Sequence, residues 1–276
     1  MNSEILPNTP DGLFGIGLRK EHYTEILENP EKILVDWFEV ISENYMETEG
    51  RPILVLEEVR KNYPIAMHGV SLSIGKKEGI DIEYLHHLKT LVDRVEPFIV
   101  SDHFCWTGFG GINLHDLYPL PLTKESIQIV TKNLEVTQNY LKRKILLENA
   151  SSYLAYKSDE MKEWEFINAV TKQSGCGFLF DINNLYVNSQ NHGIDPIEYI
   201  QNIDPKSVKQ FHLAGFTDMG SYLFDTHSAN VATEVWELFQ IAAERFPNTP
   251  VLLEWDADIP EFSLLQNEVM KAKKYL

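Results

Sequence analysis

Six short apolar runs in this chain each deliver an imidazole or a carboxylate at their end. His68 closes Ile65-Ala66-Met67, His103 follows Phe98-Ile99-Val100-Ser101-Asp102, and Glu148 closes Ile145-Leu146-Leu147. Asp181 closes Phe178-Leu179-Phe180, His212 follows Val208-Lys209-Gln210-Phe211, and Glu254 closes Val251-Leu252-Leu253. Asp225-Thr226-His227 adds an Asp-x-His pair, and Asn184 adds an amide oxygen three residues past Asp181. Imidazole nitrogen and carboxylate oxygen together suit iron, manganese or zinc. A single cation of four to six coordination cannot use all of these groups, whereas two or three cations can, with Glu148 as a bridge. Carboxylates packed together without cations repel one another and rise in pKa. No thiolate accompanies them, which disfavours a structural cysteine-based zinc site.

Taken singly, a strand-end histidine is most often a hydrogen-bonded core residue, and a strand-end carboxylate a helix cap or ion-pair partner. Six strand ends of this kind together point to a site, because polar groups are costly to bury without partners.

The elements that must position these groups are strands. Eight strand-like runs can be marked: 13–18, 35–41, 65–70, 98–103, 145–148, 177–181, 208–213 and 251–255. Most gaps between them have helical periodicity. In 123–144, Ile127, Val130, Leu134 and Leu141 form one apolar stripe, Glu125 stands in the first turn, and Lys142, Arg143 and Lys144 close it. A last helix is expected to start at Pro260 and end among Lys271, Lys273 and Lys274. Strand then helix, eight times over, is the pattern of a parallel α/β fold. The convergence of ligands favours a closed (β/α)8 barrel over an open sheet, with the site at its carboxyl mouth. With no internal repeat or linker, residues 1–276 read as one TIM-barrel domain.

Side chains alternate across a strand. Parity therefore turns Ala66, Ile99, Leu146, Leu179, Leu252 and both Val208 and Gln210 inward with the ligand candidates. Met67, Val100, Leu147, Phe180, Phe211 and Leu253 turn toward the helices. Two long connections, 105–122 with Gly108, Gly110 and Gly111, and 214–231, are candidate lids; the glycines match no phosphate-binding loop.

A chain of 276 residues with 43% hydrophobic content can bury a core of this size. Its formal charge of 24 − 41 = −17 argues against a nucleic-acid partner, which needs cations for phosphates. No run is long and apolar enough for a membrane span, and the amino terminus has no secretory-signal pattern, so a cytoplasmic protein is expected. Cys105 and Cys176 would sit at opposite mouths, too far apart to bond. His86 and His87 read as mid-helix surface residues and His22 as a surface or capping residue. His115 and His192 read as loop residues. Asp102 points away from His103 by parity, toward a supporting hydrogen bond or an ion pair. At the mouth, Arg19, Glu43, Asn44 and Tyr45 are candidate substrate contacts or simply a polar rim. Trp106, Phe109, Phe216 and Tyr222 can shield the site or pack the loops.

Several motifs carry a family resemblance. They are Met67-His68-Gly69-Val70-Ser71-Leu72-Ser73-Ile74-Gly75, Ser101-Asp102-His103-Phe104-Cys105-Trp106, Leu147-Glu148-Asn149-Ala150-Ser151 and Phe180-Asp181-Ile182-Asn183-Asn184. With them go Glu39-Val40-Ile41-Ser42-Glu43-Asn44-Tyr45, His212-Leu213-Ala214-Gly215, Asp225-Thr226-His227-Ser228 and Leu253-Glu254-Trp255-Asp256. From about Gly15 to Asp256 the chain resembles the multinuclear non-haem iron-dependent oxidases of the xylose-isomerase-like barrel superfamily. That family was long catalogued only as a domain of unknown function, and it includes the methanobactin-forming oxidase. The resemblance implies two or three irons. His68, His103 and Glu148 would hold one, and Glu148, Asp181, His212 and Glu254 its neighbour. Asn184, Asp225 and His227 would hold a third. It further implies oxidation of cysteine in a ribosomally made precursor peptide, with the thiolate on a ferric ion and dioxygen activated at a neighbouring ferrous ion. A separate peptide-recognition protein is a frequent companion.

Three rivals stand beside it. A metal-dependent phosphoesterase like the trinuclear zinc endonuclease for abasic DNA has a similar ligand order, but a histidine where this chain has Asn184. A sugar isomerase of the same superfamily usually has a lysine near its metals, and no strand end here carries one. A non-catalytic metal-binding scaffold is the third; a complete ligand set argues against it.

Overall fold

The structure, a computed structural model, describes residues 14–109 and 112–276. Leu13, at the start of the first expected strand, and the Gly110-Gly111 pair lie outside it, as do the side chains of Phe109, Asn113 and His115. The strands are β1 (Phe14–Gly17), β2 (Trp37–Ile41), β3 (Ile65–His68), β4 (Ile99–His103), β5 (Cys105–Phe109), β6 (Ile112–Pro119), β7 (Leu146–Glu148), β8 (Gly177–Asp181), β9 (Val208–Leu213), β10 (Thr217–Asp218), β11 (Leu223–Phe224) and β12 (Val251–Leu253). The α-helices are α1 (Tyr23–Glu28), α2 (Arg51–Arg60), α3 (Ile82–Val95), α4 (Lys124–Leu141), α5 (Glu163–Ser174), α6 (Ile182–His192), α7 (Pro196–Asn202), α8 (Thr233–Arg245) and α9 (Phe262–Val269).

Eight of these strands close an all-parallel barrel in the order β1-β12-β9-β8-β7-β4-β3-β2. They coincide with the eight expected runs, so the chain is a TIM barrel. Two further antiparallel pairs, β5–β6 and β10–β11, lie within the two long connections. Where long loops were expected, each connection is partly a hairpin.

The barrel has two apolar layers. Trp37, Ala66, Phe98, Ile99, Leu146, Leu179 and Leu252 fill the interior. Met67, Val100, Leu147, Phe180, Phe211 and Leu253 pack outward among the helices, as alternation requires. Val208 departs from expectation by joining the outer layer. The β8–β9 register shifts at this point, from Phe178↔Val208 to Leu179↔Gln210. The inserted Lys209 resets the parity, the usual effect of a bulge. Its consequence is functional: Gln210 and His212 turn inward, and His212 comes level with Asp181.

Helix ends follow local chemistry. Thr123 caps α4 by accepting the Ser126 N–H, and the helix stops at Leu141 because Lys142 adopts a left-handed conformation. Arg143 then donates to the Pro97 and Phe98 carbonyls and Lys144 to that of Ser174, instead of continuing the helix. The last helix starts at Phe262, later than expected, because His22 Nε2 donates to the Pro260 carbonyl at 2.8 Å. His22 is therefore buried, not a surface residue. Both cysteines are free and buried. No described helix is long and apolar enough to cross a membrane.

Candidate metal centre

Strand register brings the polar strand ends together. His68 pairs with Ser101, His103 with Glu148, and Asp181 with His212. Beyond the end of β12, the Glu254 N–H still bonds the Leu213 carbonyl, which carries that carboxylate to the same level. Imidazoles and carboxylates thus cluster at the carboxyl end of the barrel.

Three groups of side chains each offer converging ligand atoms: His68, His103 and Glu148; Glu148, Asp181, His212 and Glu254; and His227, Glu254 and Asp256. In the first, His68 Nε2 and His103 Nε2 are 3.3 Å apart, and Glu148 Oε2 lies 3.2 and 3.4 Å from them. Ligands at about 2.0–2.2 Å from one cation stand about 3–3.5 Å from each other. The ring nitrogens facing away are engaged: His68 Nδ1 meets Ser101 Oγ at 2.8 Å and His103 Nδ1 the Gly69 carbonyl at 3.2 Å. Donation through Nδ1 fixes the tautomer that leaves Nε2 as a lone pair.

In the second group, His212 Nδ1 lies 3.1 Å from Glu254 Oε2 and 3.7 Å from Glu148 Oε1. Its Nε2 faces Glu39 Oε1 at 3.0 Å, and Gln210 Nε2 donates to Glu39 Oε2 at 2.7 Å. Asp181 serves two ends with two oxygens. Oδ1 caps α6 by accepting the Asn184 N–H at 2.6 Å, while Oδ2 is left free. Asn149 clamps this corner, exchanging hydrogen bonds with both the N–H and the carbonyl of Asp181.

In the third group, His227 Nδ1 is 3.3 Å from Glu254 Oε2 and 3.1 Å from Asp256 Oδ2, while Nε2 is 2.7 Å from Asp225 Oδ1. His227 holds φ at +46°, a left-handed conformation unusual outside glycine and of a kind that concentrates at functional sites. Asn184 faces Glu148 and the Asn149 carbonyl with its amide nitrogen, at 3.4 and 3.0 Å. Asp225 thus stands against one ring nitrogen of His227, as the resemblance implied, and Asp256 against the other.

The donor set fits cations. Glu148 Oε2, Asp181 Oδ2 and Asn184 Oδ1 are buried and find no hydrogen-bond partner among the described residues, a costly state unless a cation meets them. Without one, burial pushes Glu148 well above the usual carboxylate range, and the Asp181 and Glu254 charges push the same way against His212. Burial also lifts Asp181 to about 7. Burial, with His212 adding to it, drives His103 down to about 4, and burial with both neighbouring imidazoles holds His68 well below the usual imidazole range. His212 and His227 go the other way. Burial would lower them, but the carboxylates around each outweigh it and hold them well above the usual imidazole range. Glu254 is held low because these two imidazolium groups overcome its burial.

The centre opens into a cavity of about 240 Å³ lined by His68, His103, Asn184, His227 and Glu254, together with Asp116 and Leu117 of β6 and with Tyr153 and Phe224. A wider hollow of about 920 Å³ at the amino end of the barrel is lined by Lys142, Arg143, Lys206 and Lys209 and lacks this convergence of ligands.

The four expected rim residues divide: Arg19 stays at the mouth, lining a small hollow with Glu39, His68 and Glu254, and the other three do not. Arg19 pairs with Asp256. Glu43 accepts the Val70 N–H at 2.9 Å and the Tyr84 hydroxyl at 2.7 Å, so it holds the connection after β3. Asn44 is exposed. Tyr45 is buried with its hydroxyl 2.7 Å from that of Tyr23, which leaves it no face for a substrate. Asp102 is also buried and accepts the Leu72 N–H at 3.1 Å, a support for the same connection, not an ion pair. His86 and His87 lie on the outer face of α3, and His192 ends α6 with Nε2 on the Ser152 carbonyl. Sequence reasoning gave no role to Glu39, Gln210, Asn149 or Asp256. Parity offered a signal for the first, because Glu39 shares the inward face of β2 with Trp37.

Fold and site together define a TIM barrel with clustered histidine and acidic side chains at its carboxyl mouth. Residues 13–276 match the family described as RiPP precursor modification enzyme MbnB/TglH/ChrH, and the chain belongs to it. It is 46% identical over 260 residues to a UPF0276 protein of Caulobacter vibrioides (strain NA1000 / CB15N), covering 94% of this chain and 92% of that one. Among solved structures, D-allulose 3-epimerase from Methylomonas sp. superposes with a TM-score of 0.62 at 10% identity, covering 97% of this chain and 99% of that one. Endonuclease IV from Thermus thermophilus superposes with a TM-score of 0.60 at 11% identity, covering 95% and 98%. At those identities the likeness is one of fold, that of the (β/α)8 barrel.

Proposed function

We propose that this protein is a multinuclear iron oxidase that modifies cysteine in a ribosomally made precursor peptide. The observation that carries the reading is the pair of adjoining ligand groups joined through Glu148, whose free Oε2 faces His68 and His103 while Oε1 faces His212. His68, His103 and Glu148 would hold one iron, and Glu148, Asp181, His212 and Glu254 a second. His227 with Glu254 and Asp256, or with Asp225 and Asn184, would hold a third. Iron bound there would supply the one-electron steps by which dioxygen oxidises a cysteine side chain.

The chain's own residues prepare that chemistry. Ser101 and the Gly69 carbonyl fix His68 and His103 as neutral nitrogen ligands, which add no charge and leave a cation able to accept a thiolate. Glu39 holds the far side of His212 and strengthens it as a ligand, the usual role of a carboxylate behind a histidine. The apolar floor of Trp37, Phe98 and Leu146 closes the barrel below the ligands and keeps water out. The peptide substrate comes from the family to which the chain belongs, and a separate peptide-recognition protein is the expected partner. An acidic chain, with no helix among its described residues long and apolar enough to cross a membrane, fits work in the cytoplasm on such a peptide and not on nucleic acid.

The test is metal analysis and Mössbauer spectroscopy of anaerobically purified protein, followed by dioxygen uptake with a cysteine-bearing precursor peptide. Two or three irons per chain with a mixed ferrous and ferric signal are expected. Stoichiometric zinc or manganese, with no gain on iron reconstitution, would overturn the oxidase and favour phosphoester hydrolysis or sugar isomerisation.

A further inference from the structure

Beside the metal cavity stands an aromatic platform that the chemistry at the ligands does not use. Tyr153, Tyr222 and Phe224 are 47%, 43% and 42% exposed. Their rings touch in all three pairings, with centroids 5.3 Å apart for Tyr153–Phe224, 6.0 Å for Tyr153–Tyr222 and 6.4 Å for Tyr222–Phe224. Isolated exposed apolar residues are ordinary, but a contiguous patch on the rim of a cavity is characteristic of a ligand-binding groove.

The platform is continuous with the site. Tyr153 and Phe224 line the metal cavity itself. The Asp225 N–H donates to the Tyr153 hydroxyl at 3.0 Å, and the Asp225 carboxylate accepts from Ser151 Oγ at 3.0 Å and Asn183 Nδ2 at 2.8 Å. The platform is also rigid. Tyr222 lies in the bend just before β11 and Phe224 within it, and Asn191 of α6 bonds both the N–H and the carbonyl of Leu223 between them, at 2.9 Å each. That pair of bonds occupies the edge of β11 at Leu223. A peptide therefore cannot add there as another strand, and recognition must come from side chains.

The β5–β6 hairpin also lines the cavity, through Asp116 and Leu117, and exposes Ile112 and Leu114 on the same strand. Residues of two hairpins thus line the same cavity as His68, His103, His227 and Glu254. A peptide entering this cavity would put one residue over the metals and a neighbour against the rings.

Resting on the peptide-modifying reading above, we infer that Tyr153, Tyr222 and Phe224 form a specificity subsite that takes an aromatic or large apolar side chain flanking the reacting cysteine. Aromatic pairs of this kind gain free energy beyond the area they bury. The occupant is the peptide substrate itself, because the platform shares two of its three rings with the cavity.

The experiment uses the full chain with its native metal content, kept anaerobic so that no turnover occurs. Two fluorescein-labelled nonapeptides are compared by anisotropy, each with a central cysteine in a Gly/Ser background, one with phenylalanine on both sides of it and one with serine. The phenylalanine peptide is expected to bind about tenfold more tightly. Tyr222→Ala, which touches neither the cavity nor Asp225, is expected to remove most of that preference while leaving metal content and melting temperature unchanged. Equal binding of the two peptides, no measurable binding of either, or a preference unaltered in Tyr222→Ala overturns the subsite. The two readings fail separately. A phenylalanine preference lost in Tyr222→Ala without any dioxygen uptake on aeration keeps the subsite and removes the oxidase. Equal binding with equal oxidation of both peptides does the reverse.

Discussion

His103 and Glu148 are register partners on neighbouring strands, and His103 Nε2 stands 3.4 Å from Glu148 Oε2 with no hydrogen atom required between them. The other oxygen of the same carboxylate faces His212 at 3.7 Å. Glu148→Gln keeps the shape but removes the charge that two ligand groups share. It is expected to lower metal occupancy at both, by more than the roughly 10–100-fold lost when a supporting partner is removed. In metal-free protein the same change relieves a crowded carboxylate, so its melting temperature should equal or exceed that of wild type. Metal titration and melting curves with and without chelator check both halves; retention of full metal content in Glu148→Gln would sink the bridging role.

A second expectation concerns pH. In the metal-free protein, Asp181 is raised to about 7 and His212, His227 and Glu148 are raised as well. Between about pH 4 and 7 for Asp181, and above about 6.5 for His212 and His227, an unfolded chain has lost protons that the folded chain still holds. The folded state then binds more protons, and its stability falls as pH rises, by about 1.4 kcal/mol per pH unit for each extra proton. His68 and His103 are lowered, so above about pH 7 they are neutral in both states and do not oppose the trend. Metal-free protein should therefore melt progressively lower from pH 7 to 9. Cations replace those protons, so metal affinity should climb over the same window. A melting temperature independent of pH in chelator would contradict the protonated cluster.

How far the sequence carried the fold and site depended on local regularity. The eight strands were legible because each is a short apolar run, and alternation separated Ala66, Ile99 and Leu252 from Met67, Val100 and Leu253 without the structure. Alternation failed at Val208, where one extra residue, Lys209, reverses the face. Tyr45 misled because a single 3-10 turn at Ser42–Asn44 swings the chain inward just past β2. Asp256 was missed because it lies beyond a strand end, where no periodicity says which way a side chain points. The β5–β6 hairpin was hidden by its glycines and polar residues, which read as loop.

Glu39 offers a third test. Its Oε1 lies 3.0 Å from His212 Nε2, and Gln210 holds its other oxygen at 2.7 Å. Glu39→Gln should weaken metal binding by about 10–100-fold, the usual loss for a partner behind a ligand. Asp36→Asn, a carboxylate change whose partner is the Phe14 N–H near the other end of the barrel, should not. Equal metal affinities in the two variants would show that His212 needs no carboxylate behind it.

The third ligand group makes a stoichiometric prediction. Asp256 shares His227 Nδ1 with Glu254, and it also pairs with Arg19. If His227, Glu254 and Asp256 hold the third cation, Asp256→Ala should lose one metal equivalent and Asn184→Ala none. The reverse pattern would assign that cation to Asn184, Asp225 and His227. Metal content per chain separates the two directly.

The barrel floor gives a prediction about stability alone. A Cβ on Gly15 would stand 2.4 Å from carbons of the Trp37 indole. That ring is fully buried and packs edge-on to Phe98, with centroids 5.2 Å apart and planes at 81°, so it has nowhere to retreat. Gly15→Ala should destabilise the protein by about 1–3 kcal/mol, the range for overpacking a core. Gly17, on the same strand, meets instead the flexible end of Arg19 at 2.9 Å, and Gly17→Ala should cost much less because that side chain can move. Denaturant unfolding of the two variants in chelator isolates packing from metal binding. Equal midpoints for Gly15→Ala and wild type would mean that Trp37 is free to shift and is not a fixed floor beneath the ligands.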